Sequence, residues 1–115
     1  MKKIFIVIFA IILFASPVCG DEIDDGLPVE TAENLRLSAR QMVQAGVPGD
    51  EVVKMTRRMM ENRFQEEQMI SAHRTVMAVL KEGLPEKPVM NKAHEGMVKN
   101  VPPEMILQAM EKTRL

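Results

Sequence analysis

A recurring tripeptide constrains this chain more than any other feature: Gly26-Leu27-Pro28, Gly46-Val47-Pro48, Gly83-Leu84-Pro85 and Asn100-Val101-Pro102. Glycine or asparagine accepts the left-handed conformation that ends a helix, the apolar residue after it folds back onto the last turn, and proline blocks resumption. Counting back places Met42 and Val79 opposite Val47 and Leu84. Gly96 stands opposite Val101, which predicts a weaker, frayed cap at Asn100. A chain interrupted this often folds as short helices.

Gly46 and Gly83 lie 37 positions apart, and the flanking intervals of 20 (Gly26 to Gly46) and 17 (Gly83 to Asn100) together span the same length. A degenerate stop near Asn62-Arg63-Phe64 completes an alternation of 20, 17, 20 and 17. A shift of 37 lays Val52 on Val89, Met60 on Met97, Glu67 on Glu104 and Ala72 on Ala109. The expected fold is therefore all-α, about five short helices stacked as helical hairpins in a degenerate 37-residue two-helix repeat. With no Trp or Tyr, the sequence does not carry the tetratricopeptide signature.

The helices are predicted over about 28–45, 49–63, 65–82, 86–99 and 103–113, from apolar residues recurring every three or four positions. Their core faces are Ala32, Leu35, Ala39, Met42 and Val43; then Val52, Met55, Met59 and Met60; then Met69, Ala72, Val76 and Leu80. Val89, Met90, Ala93 and Met97 follow, then Ile106, Ala109 and Met110. Acidic first turns (Glu30, Asp50, Glu51, Glu86, Glu104) and basic last turns (Lys81, Lys99, Lys112) suit the helix dipole. Gly49 to Glu82 has no internal Gly or Pro, yet a break is expected because the phase set by Val52 and Met59 meets Glu66.

The N-terminus carries an address. Lys2 and Lys3 precede twelve apolar residues, Ile4 to Ala15, and Val18 and Gly20 sit at −3 and −1 of a cut after Gly20. This is the pattern of a secretory signal peptide over 1–20. As a helix it would span only about 18 Å against a hydrocarbon core of roughly 30 Å, so removal is expected and no stable membrane span after processing. Cys19 allows a rival lipoprotein cleavage, less favoured because Val18 stands where that signal takes a small residue. A periplasmic or secreted location follows, with residues 21–27 as an acidic disordered leader and 28–115 as one helical domain.

Losing Lys2 and Lys3 leaves 13 Lys+Arg against 16 Asp+Glu, a net charge of about −3 that disfavours nucleic acid. Arg57-Arg58, the one adjacent basic pair after residue 20, reads as a solvated helix face. A cut after Gly20 also removes the only cysteine, so no disulfide is available and stability rests on packing.

Catalytic and cofactor motifs are absent, and no enzyme activity or cofactor is expected. Ser71 and His73, two apart on one helix, point away from each other. The economical reading is a non-enzymatic protein-interaction or adaptor module of the bacterial envelope, bound to another exported or envelope protein. Flexible methionines left exposed would form its docking surface, with Met55, Met59 and Met60 as candidates, and self-association into a homodimer is compatible with open terminal helices. The alternative is a periplasmic soft-metal (Cu(I)-type) binder. Met69, His73 and Met77, and again Met90, His94 and Met97, put thioethers one turn either side of an imidazole.

Overall fold

A computed structural model describes residues 22–114; the predicted signal peptide and Cys19 lie outside the described residues. The chain forms α1 (Glu33–Gln44), α2 (Gly49–Glu61), α3 (Glu66–Lys81), α4 (Lys87–Val98) and α5 (Pro103–Arg114). A short helical segment over 22–26 precedes them, and no strand occurs among the described residues.

Each of the four internal stops closes with the same hydrogen bonds. Gly46 (φ 114°), Arg63 (65°), Gly83 (77°) and Asn100 (59°) are left-handed, at intervals of 17, 20 and 17 residues. The following amide reaches back to the carbonyl five residues before it: Val47 to Met42, Phe64 to Met59, Leu84 to Val79 and Val101 to Gly96, all within 2.9–3.1 Å. The break between α2 and α3 is thus real although no proline enforces it; the Gln68 side chain accepts the Gln65 amide at 2.8 Å and starts the new helix.

Three expectations about these ends need correction. Gly26 is not left-handed, and Leu27 instead continues the helical pattern by bonding to the Ile23 carbonyl at 3.1 Å. α1 begins at Glu33 rather than near Pro28, which leaves Ala32 exposed at its N-cap. The Asn100 cap is made in full, its backbone bonds needing no side chain at Gly96, and that glycine serves packing instead: a Cβ there would lie 2.7 Å from Ile106 Cγ1, so its absence lets α5 approach α4 closely.

Residues 22–27 of the acidic leader are ordered where disorder was expected. Ile23 is fully buried and Leu27 nearly so, four residues apart and therefore on one face. Asp24 is paired with both Arg36 and Arg40 of α1, while Arg36 also donates to the Pro28 carbonyl at 2.6 Å. Two buried aliphatic side chains and a shared carboxylate offset the ordering entropy that the composition suggested would win.

Packing arranges the helices in two rows. α1 lies against α3 and α3 against α5, while α2 lies against α4; the α1–α2 and α4–α5 pairs join the rows. The interior is built largely from methionine, including Met42, Met55, Met59 and Met110, with Val52, Val76, Val79 and Ile106 between them. Phe64 closes this core at the α2–α3 break. Val43, Met60 and Leu80 pack at its margin, half-buried.

Candidate functional site

Met55 and Met59 are fully buried and Met60 is packed against the core, so these three do not form the docking surface expected of them. The cause is that α2 buries one face against the 22–26 segment and α1 and another against α4, so its methionine stripe is interior.

His73 is also fully buried, and it joins three helices. Its Nδ1 lies 2.8 Å from Ser38 Oγ on α1 and its Nε2 2.9 Å from Thr56 Oγ1 on α2. A neutral imidazole has one N–H and one lone pair, so one hydroxyl donates to the ring and the other accepts from it. Burial lowers the His73 pKa to about 4, which keeps the ring neutral near pH 7. The hydroxyl–imidazole pairing resembles the core of a nucleophilic dyad. Yet a ring with so low a pKa is a weak base, and Thr56 brings no negative charge to stabilise an imidazolium. The geometry favours a role in holding α1, α2 and α3 together.

The signal for Ser38 and Thr56 is legible in the sequence itself. Ser38 falls three after Leu35 and four before Met42, and Thr56 four after Val52 and three before Met59, so each is a hydroxyl on an apolar stripe.

His94 lies elsewhere, at the contact of α4 with α2. Its Nδ1 is 3.3 Å from Arg58 Nη1, and because guanidinium only donates, Nδ1 accepts and Nε2 carries the proton. That Nε2 is buried without a hydrogen-bond partner. Burial lowers the His94 pKa, as do the charges of Arg58 and Lys54, with Glu51 opposing. The two methionine–histidine faces are therefore separate. A cation at His73 would have to displace a buried hydroxyl, and one at His94 Nδ1 would confront Arg58. Met69, Met90 and Met97 are buried and Met77 half-buried, all packed with the core. Among the described residues no group of three or more His, Cys, Asp or Glu side chains is placed to hold a metal ion.

The surface offers more. A cleft of about 530 Å³ runs between α3 and α5, with Ala78 and Leu107 among its walls, and a second of about 270 Å³ runs between α1 and α3 past Leu37, Ile70 and Met77. Arg74 lines both, so the outer side of the α1, α3 and α5 row carries two depressions that meet at one guanidinium. A third cleft, about 660 Å³, separates the 22–26 segment from α2, but its walls mix Glu22, Asp25 and Glu61 with Lys54 and Arg57. Mixed charge gives it no preference for either sign.

No family model matches the chain, and no match is found among curated proteins or solved structures.

Proposed function

We propose that this chain is an exported, non-enzymatic interaction module, a stack of two and a half helical hairpins that binds another exported or envelope protein along its α1, α3 and α5 row. Export rests on the basic and apolar N-terminal sequence. The repeat is supported by the left-handed residues, since Gly46 and Gly83, like Arg63 and Asn100, are separated by 37 positions. The binding reading is carried by the pair of clefts, one on each side of α3, that share Arg74, because a ligand lying across the row would meet both together as one shallow trough.

The test is a comparative capture from an envelope fraction. Wild-type protein should retain a partner that Leu37→Glu and Arg74→Glu lose, while Lys54→Glu on α2 keeps it. Equal retention by all three variants would remove the face from consideration. Mass spectrometry of the processed N-terminus checks export, with Asp21 as the expected first residue.

A further inference from the structure

The walls of the trough are unevenly charged. Arg74 on α3 and Lys112 on α5 are exposed, and among the described residues neither makes an ion pair. The one carboxylate lining either cleft, Glu111, is held by Arg114 at 2.6 Å, and Arg114 also reaches Glu82 at 2.8 Å. Three cations thus stand against two carboxylates, and the two without a partner, Arg74 and Lys112, lie beside the apolar side chains of Leu37, Met77, Ala78 and Leu107.

Building on the interaction-module reading, we infer that the occupant of this trough is an acidic amphipathic helix of another protein, its apolar face on the trough floor and two carboxylates on Arg74 and Lys112. Arg74 and Lys112 line the same cleft, and carboxylates seven positions apart on a ligand helix lie on one face about 10 Å apart, so one ligand helix can present a carboxylate to each. Apolar area then supplies affinity, and the two unmatched charges select the sign of the ligand.

Two synthetic 18-residue peptides of leucine with either glutamate or lysine, patterned as amphipathic helices, test this by fluorescence anisotropy. The glutamate peptide should bind wild-type protein at least tenfold more tightly than the lysine peptide, and more weakly as salt is raised. Arg74→Glu with Lys112→Glu should reverse that order; both residues are exposed, so the fold should survive, and circular dichroism checks it. Indifference to peptide charge would overturn the inference, as would preferential binding to phosphatidylglycerol vesicles. A concentration-dependent dimer abolished by Arg74→Glu would assign the trough to a second copy of this chain and overturn it too. If neither peptide binds while Leu37→Glu still abolishes capture of an envelope partner, the surface stands and the ligand class fails. If both experiments are negative, the interaction reading fails with it.

Discussion

Ser38 on α1 and His73 on α3 meet at 2.8 Å inside the protein, and the same ring reaches Thr56 on α2 with its other nitrogen. A single neutral imidazole therefore ties both rows at the point where α1, α2 and α3 converge. That arrangement exposes the fold to acid. Between pH 6.5, the ordinary histidine value, and about 4, the unfolded chain takes up a proton that the folded chain refuses. The unfolded state binds more protons across this window, so stability is full above about 6.5 and is lost as pH falls through about 4, by roughly 3 kcal/mol. Urea unfolding at pH 7, 5.5 and 4 should show this decline, and His73→Gln should flatten its slope.

Removing either hydroxyl strands one ring nitrogen in an apolar interior. Ser38→Ala and Thr56→Val should each cost about 1–3 kcal/mol. Because both act through His73, the double variant should lose less than the two costs combined, and a double-mutant cycle in urea measures that coupling.

The four left-handed residues are unequal in cost. Nothing lies within 4 Å of a Cβ built on Gly83, so Gly83→Ala should destabilise through backbone strain alone, by about 1 kcal/mol after the entropy lost by the unfolded chain is counted. Arg63 already bears that strain at φ 65°. Arg63→Gly should raise stability by up to about 1 kcal/mol, read as a higher urea midpoint at unchanged slope.

Gly96→Ala sets two effects against each other. Alanine favours the helix by about 1 kcal/mol, but its Cβ would press on buried Ile106, and overpacking costs about 1–3 kcal/mol. Overpacking should prevail and the variant should be less stable. In an Ile106→Ala background the obstruction is gone, and the same substitution should become stabilising.

Three of the four internal stops were readable because their chemistry is local: Gly46, Gly83 and Asn100, each tolerant of positive φ, are followed directly by an aliphatic side chain and a proline. Even the degenerate one, Asn62-Arg63-Phe64, betrayed itself through the change of apolar phase at Glu66. Two other features were not readable in that way. The order of 22–26 depends on Arg36 and Arg40, more than ten residues away, meeting Asp24. That α2 turns its methionine stripe into the core depends on which helix sits between neighbours, which amphipathicity alone does not reveal. Met55 and Met59 have the pattern of a flexible docking stripe and the position of a core.

The methionine interior also turns the protein into a recorder of its own openings. The thioethers of Met42, Met55, Met59 and Met110 are wholly shielded, whereas Met105 is 57 % exposed. Peroxide should convert Met105 to its sulfoxide directly, and the shielded four only when the helices part. Each interior sulfoxide would mark a moment of separation, and its polarity would hinder the rods from closing again.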